Sequence, residues 1–285
     1  MNRDRPVCPN CGSSRTVGNG SFKCKAKQGS KYFCISCCKS FSTFTSTIFW
    51  FGHYKPSVVL TAVEFRERYR LSSREIERIF SEKFGTIVPN STVCDWVNRF
   101  AEHLPELREK FKPDFSQVWH VDEVFLRHEV RHQGTKKVFF DYAWIAWDEH
   151  LNVLAVHVSK NRDYANAKIV LQKAKEYAGF SPRILVTDGL QAYNKACWVI
   201  FGKKTLHQTS HFKAEQFFWD DRFWLLSNNR AEHGNTFIRA FQRSLKGYKS
   251  LPTGQRLLEL FGWFFNYRNA ANLAAAMLAA LVPRA

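Results

Sequence analysis

One apolar run with a carboxylate in its middle constrains this chain more than any other stretch. Residues 118 to 126 read Val-Trp-His-Val-Asp-Glu-Val-Phe-Leu, rich enough in β-branched and aromatic residues to be a buried strand. A buried carboxylate is costly unless it is paired or binds a metal, so Asp122 requires partners from elsewhere in the chain. Alternation along a strand puts Asp122 with His120, Val124 and Leu126 on one face and Glu123 with Trp119, Val121 and Phe125 on the other. Only one of the two acids is then expected to face a site, and the alternation leaves open which.

The surrounding pattern supplies candidates. Lys137 to Trp147 and Asn152 to Ser159 continue as strands, joined by polar connections at 128 to 135 and 148 to 150. Asp163 is placed to cap a helix with Ala167, Val170, Leu171 and Ala174 on one face. Arg183 to Asp188 is a short buried strand ending on a carboxylate before Gly189, followed by a helix from Leu190 to Ile200 and a short strand near Lys204 to Gln208. Three antiparallel strands followed by alternating helices and strands is the order of a ribonuclease-H-like α/β domain, a mixed sheet flanked by helices.

In that order the first and fourth strands are central neighbours, so Asp122 and Asp188 are expected side by side. Glu232, opening a helix after Asn228-Asn229-Arg230-Ala231, is expected to come down onto them. Three carboxylates so placed suit two hard, oxygen-seeking Mg²⁺ (or Mn²⁺) ions, the arrangement for in-line displacement at phosphorus. Plainer readings stand beside this one: Asp188 as a cap of the following helix, Glu232 as a solvated helix residue, and Glu123 as ligand in place of Asp122.

The N-terminal segment has a different logic. Cys8-Pro-Asn-Cys11 and Cys34-Ile-Ser-Cys37 are two C-x-x-C pairs flanking a stretch with little apolar material and a cluster of Lys23, Lys25, Lys27 and Lys31. Four thiolates around one Zn²⁺ would hold such a segment together; Cys38 competes with Cys37 for the fourth position. No apolar run follows the first residues, so an export signal is not expected. The thiols are then expected to stay reduced, in the cytoplasm at the nucleoid, with no membrane contact. Beyond Pro56 helical periodicity begins. A first helix carries Val58 to Tyr69, a second starts at a cap-like Ser72-Ser73 with Glu75 behind it, and a third, capped by Asn90-Ser91, carries Val93, Trp96, Val97 and Phe100. This is the pattern of a helix-turn-helix, with Thr92, Asp95, Asn98 and Arg99 facing bases or phosphates; a small helical bundle reads similarly.

Charge supports a polyanionic partner. The net charge is +17, with nine basic groups against one acid in residues 1 to 55 and seven against one in residues 236 to 285. Two basic ends around a near-neutral middle suggest DNA gripped at more than one point. Arg230, Arg239, Arg243, Lys246 and Lys249 lie on or just after the Glu232 helix, placed for phosphates. Phe217, Phe218, Trp219, Phe223 and Trp224 are read as core, as a subunit contact or as a stack for an unpaired base.

Val121-Asp122-Glu123, Thr187-Asp188-Gly189 with Ala192-Tyr193, Asn228 to His233, and Leu245-Lys-Gly-Tyr-Lys-Ser-Leu251 together resemble a prokaryotic insertion-sequence DDE transposase, related to integrases. The cysteine ribbon and the helices resemble that family's N-terminal DNA-binding parts. The resemblance implies a metal-binding triad of Asp122, Asp188 and Glu232, binding of terminal inverted repeats, nicking to free a 3′-hydroxyl, strand transfer into target DNA, and a homodimer or higher homo-oligomer. The domains expected are a zinc ribbon over 1–45, a helix-turn-helix domain over 56–112, the catalytic domain over 115–268 and a tail over 269–285. Two features depart from the family pattern: a long interval between Asp188 and Glu232, and an Ala-rich end after Asn266-Tyr267-Arg268. Competing readings are a catalytically inactive DNA-binding regulator and a ribonuclease-H-like nuclease.

Overall fold

The computed structural model describes residues 5–50, 52–132, 135–210, 215–219, 222–245, 248 and 250–281. Lys246 and Lys249 lie outside these. Contacts divide the chain into two units: residues up to Lys110 together with those from Asn269 onward, and Phe111–Arg268.

In the first unit, β1 (Thr16–Lys23), β2 (Gln28–Cys34) and β3 (Ser40–Ser42) form an antiparallel sheet in that order. Among the described residues Cys8, Cys34 and Phe41 form one buried cluster, with Tyr32 and Cys37 packed against them, and Phe22 of β1 meets buried Phe44 with ring centroids 6.2 Å apart. Helix α1 (Pro56–Glu67) starts with its proline at the first helical position, where the missing N–H costs nothing. Helix α2 (Ser73–Phe84) has the expected capping box: Ser72 Oγ accepts from Glu75 N–H at 3.2 Å, and Ser72 N–H donates to Glu75 Oε2 at 2.7 Å. It stops at Gly85, whose φ of 59° is the left-handed conformation glycine adopts most easily.

Helix α3 (Asn90–Glu102) corrects the expected cap. Pro89 stands at the N-cap position, and Asn90 is already helical, its amide donating to Glu77 at 3.0 Å. The extended backbone of Pro89 leads straight into the first turn and leaves Asn90 free to tie α3 to α2. A short α4 (Leu104–Lys110) follows. From the far end of the chain, Leu273–Leu281 forms a helix that packs on α1, and Arg68 donates to the Ala270 carbonyl at 2.7 Å. The Ala-rich end is thus part of this unit's core, through Leu273, Met277 and Leu281.

The second unit is built on a five-stranded sheet in the order β6-β5-β4-β7-β8. Its members are β4 (Val118–His132), β5 (Thr135–Asp148), β6 (Val153–Ser159), β7 (Ile184–Thr187) and β8 (Leu206–Thr209). β4, β5 and β6 pair antiparallel; β7 and β8 continue parallel to β4. Strand β4 runs past the expected end at Leu126, because residues 127–132 pair with β5 and satisfy each other's backbone groups whatever their side chains. Helices α5 (Tyr164–Ala178) and α6 (Gln191–Phe201) cover the face of Trp119, Val121 and Trp144. A further hairpin, β9 (Glu215–Trp219) and β10 (Arg222–Leu226), occupies the aromatic segment, with Phe218 60% exposed.

The opposite face, with Val124, Leu126, Ile145 and Trp147, is covered by α7 (Asn229–Leu245) and α8 (Leu251–Asn266). The tryptophans at the centre are fully buried with their indole N–H groups placed: Trp119 on Ser116 O at 2.9 Å and Trp144 on Ser159 Oγ at 2.8 Å. Losing one to alanine costs about 3–5 kcal/mol. Between α7 and α8, the Tyr248 hydroxyl donates to buried Asp141 at 2.5 Å, which pins the segment on β5.

Candidate active site

The sheet order makes β4 and β7 neighbours, with Val118 opposite Ile184 and Val121 opposite Thr187. Asp122 and Asp188 each follow the last of these pairs, so they emerge at one place. Strand β7 stops there, and among the described residues β4 has no neighbour on that edge from Asp122 onward. Side chains from both of its faces can therefore turn round the open edge. This overturns the expectation that only one of Asp122 and Glu123 faces the site: oxygens of Asp122, Glu123 and Asp188 lie within 4.8 Å of one another. Glu232 stands outside that group, in the first turn of α7, with its side chain 41% exposed.

Asp122 itself is 8% exposed. Burial pushes its carboxyl up to about 7, aided by the negative charges of Glu123, Asp188 and Glu232, and opposed by the Glu123 backbone N–H at 2.8 Å. Its other oxygen accepts from the Asn235 amide at 2.9 Å, and the Asn235 oxygen in turn takes the Trp147 indole N–H at 3.4 Å. Asn235 is fully buried, one helical turn after Glu232. Between them, Gly234 brings α7 onto Trp147 so closely that an added Cβ would lie 2.5 Å from the ring. The sequence reading missed Asn235; its spacing of three from Glu232 on one helix face was the available signal.

Asp188 is similarly held. One oxygen accepts from Leu190 N–H at 3.0 Å and the other from Arg162 at 2.8 Å. The first bond is a local turn and not a cap of α6, whose N-cap is Leu190 without a side-chain bond. Arg162 also binds Glu123, at 3.2 and 3.3 Å. Nothing in the local sequence singled out Arg162. Each aspartate oxygen thus carries one hydrogen bond and keeps a lone pair. All-oxygen donors, gathered and oriented in this way, fit a hard divalent cation.

Among the expected phosphate contacts, Arg230, Arg239 and Arg243 are exposed on α7, with Arg239 4.0 Å from Glu232. On α3, Asn98 is exposed, while Thr92 and Arg99 are half-buried and Arg99 donates to the Trp50 carbonyl at 2.8 Å.

The four cysteines gather in the first unit. Sulfurs of Cys8, Cys11, Cys34 and Cys37 lie within 4.8 Å of one another, with Cys8 to Cys37 at 3.7 Å and Cys11 to Cys34 at 3.6 Å. A tetrahedron with Zn–S bonds of about 2.3 Å has edges of roughly 3.8 Å, so the donor set fits a zinc ion. Burial opposes ionisation of Cys8, but backbone N–H groups of Asn10 and Cys11 and the neighbouring thiols outweigh it and bring Cys8 to about 6. Cys38 is not in the group. It is exposed and takes φ 53°, the left-handed turn that Gly12 (φ 73°) makes after the first pair.

A mixed sheet of this order, with carboxylates gathered where the parallel pairing of β4 and β7 ends, is that of a ribonuclease-H-like domain built for phosphoryl transfer. The IS240-type transposase DDE domain model matches residues 116–269, more than half of the chain, and the protein belongs to that DDE-domain family. A transposase for the insertion sequence-like element IS431mec of Staphylococcus aureus is 24% identical over 223 residues, covering 75% of this chain and 93% of its own. The transposase for insertion sequence IS257 in transposon Tn4003, also from Staphylococcus aureus, has the same identity and coverage. Among solved structures, the magnesium complex of the HTLV-2 integrase catalytic core domain (trimeric form) is similar at 14% identity and TM-score 0.34, over 60% of this chain and all of that one. Among the described residues no helix is long and apolar enough to cross a membrane.

Proposed function

We infer that the protein is a DNA transposase that binds the terminal inverted repeats of a mobile element and catalyses metal-dependent DNA cleavage and strand transfer. The observation that carries this reading is the convergence of Asp122 and Asp188 on adjacent parallel strands beneath the helix of Glu232, within a chain of the DDE-domain family. In this reading Asp122, Asp188 and Glu232 hold two Mg²⁺ or Mn²⁺ ions, which when bound activate the attacking oxygen and stabilise the leaving one. The protein's own part is positioning. Asn235 fixes Asp122 by hydrogen bonding, and Trp147 fixes Asn235. Arg230, Arg239 and Arg243, with Lys246 and Lys249, bind phosphates beside the carboxylates.

Zn²⁺ on Cys8, Cys11, Cys34 and Cys37 orders the ribbon, and helix α3, through Thr92, Asn98 and Arg99, contributes to end recognition. Joining two ends in one event calls for at least a homodimer. Incubation of the protein with labelled element-end DNA and Mg²⁺ tests the reading: wild type should nick and join the ends. Asp188→Ala and Glu232→Gln should each abolish both steps while DNA affinity stays within about twofold. Wild-type binding without nicking would leave only a DNA-binding regulator, and end-independent cleavage without joining would indicate a nuclease.

A further inference from the structure

Arg162 occupies the loop between β6 and α5, and that loop is held in place. Ser159 Oγ receives the Trp144 indole N–H and donates to the Asn161 carbonyl, both at 2.8 Å. The Asn166 amide also donates to Asn161 O, at 3.2 Å, and Asp163 caps α5 through Asn166 N–H at 3.0 Å. From this base the guanidinium grips both oxygens of Glu123 and one of Asp188. The Glu123 side chain is only 4% exposed, against 28% for Asp188. A planar fork with two bonds to one carboxylate is the geometry in which arginine pairs most firmly.

We propose that Arg162 is a positioning residue that sets how many carboxylates are open to the metal ions, an inference that rests on the active-site reading above. It takes Glu123 as its counter-ion, which keeps that acid from serving as a ligand, and at the same time holds Asp188 in register with Asp122. The charges favour this division. Asp122, Asp188 and Glu232 with one phosphodiester carry four negative charges, which two divalent ions balance. Glu123 would add a fifth, and Arg162 cancels it. The geometry agrees: Glu123 meets the guanidinium with both oxygens and its side chain is 4% exposed, whereas Asp188 meets it with one oxygen and is 28% exposed.

The test is Mn²⁺ titration of the full-length protein by calorimetry, with ion number and affinity as the readout, for wild type, Arg162→Gln, Glu123→Gln and the double variant. A charge this close shifts an ionic equilibrium by about tenfold or more. Arg162→Gln should therefore bind Mn²⁺ about tenfold more tightly or take up an additional ion, and Glu123→Gln should bind more weakly with the same ion number. The double variant should return to within about twofold of wild type. If Glu123 is instead a ligand, Glu123→Gln loses an ion and the double variant stays as weak; that result overturns the proposal, as does unchanged affinity in Arg162→Gln. Arg162→Lys keeps the charge and provides the same decision if Arg162→Gln does not fold: wild-type affinity supports the proposal, and tighter binding overturns it. A wild-type protein that binds no Mn²⁺ would overturn the active-site reading itself, which separates the two failures.

Discussion

Replacing Asp122 by asparagine should change the sign of its effect on stability with pH. The folded-state carboxyl titrates at about 7, against an ordinary value of 3.8. Below 3.8 it is protonated in both states and contributes nothing to the pH dependence. As pH rises from about 4 to 7, the unfolded chain releases the proton first, and folding loses about 1.4 kcal/mol per pH unit. The accumulated penalty above pH 7 is about 4 kcal/mol in the absence of divalent cations. Asparagine carries no such penalty, but it cannot accept from both the Glu123 N–H and the Asn235 amide. One mismatched buried bond costs about 1–3 kcal/mol at every pH. Asp122→Asn should therefore be slightly less stable than wild type at pH 4.5 and about 1–3 kcal/mol more stable at pH 8. For a domain of this size that is a swing of about 6–12 °C in relative Tm. Thermal unfolding followed by circular dichroism, in buffers free of magnesium and manganese, reads it directly. A difference in Tm that stays constant from pH 4.5 to 8 would refute the argument that burial and the neighbouring acids hold Asp122 protonated.

Two other outcomes follow from the packing. Gly234→Ala gains about 1 kcal/mol of helix propensity but drives a methyl group into Trp147, at a cost of about 1–3 kcal/mol. The helix should yield, moving Glu232 and Asn235 together; stability should fall by up to about 2 kcal/mol while nicking falls by about a hundredfold, and a stabilised, fully active variant would contradict the close approach. Stripping zinc with a chelator should loosen β1–β3, where the four thiols gather, and weaken binding to element-end DNA at least about tenfold by fluorescence anisotropy. Unchanged affinity of the metal-free protein would rule out a role for the ribbon in recognition.

Much of the frame was legible because it depends on neighbours in sequence. The C-x-x-C knuckles and the Ser72 and Asp163 caps are written in spacings of two to four residues, and the strand order follows from the succession of strand and helix patterns along the chain. That order, through the short right-handed connections chains prefer, was enough to bring Asp122 beside Asp188. Local reading failed where a local rule assumed a surrounding. Alternation does put Asp122 and Glu123 on opposite faces, one against Asn235 and the other against Arg162, but the inference that only one of them meets the site assumed a covered edge, and β7 ends at Thr187. The cap expected at Asn90 failed for a similar reason: Pro89 set the entry, and Asn90 was drawn to Glu77 on another helix.

The sequence alone is enough to name the candidates for chemistry: four thiols in paired knuckles, one aspartate within the first strand of the sheet and one just past the fourth, and a glutamate in the first turn of a basic helix. Which of these groups touch was settled by the packing of the folded chain. It left Cys38 to close a turn while Cys37 joined the cluster, and it brought Arg162 to Glu123 and Asp188 from a loop between two distant elements. It also buried Asn235 against an aspartate 113 positions away. Hydrogen bonds of that reach leave no period in the sequence, because they are set by how the sheet's open edge and the covering helix meet. The carboxylate in the apolar strand required partners; their identity waited for the fold.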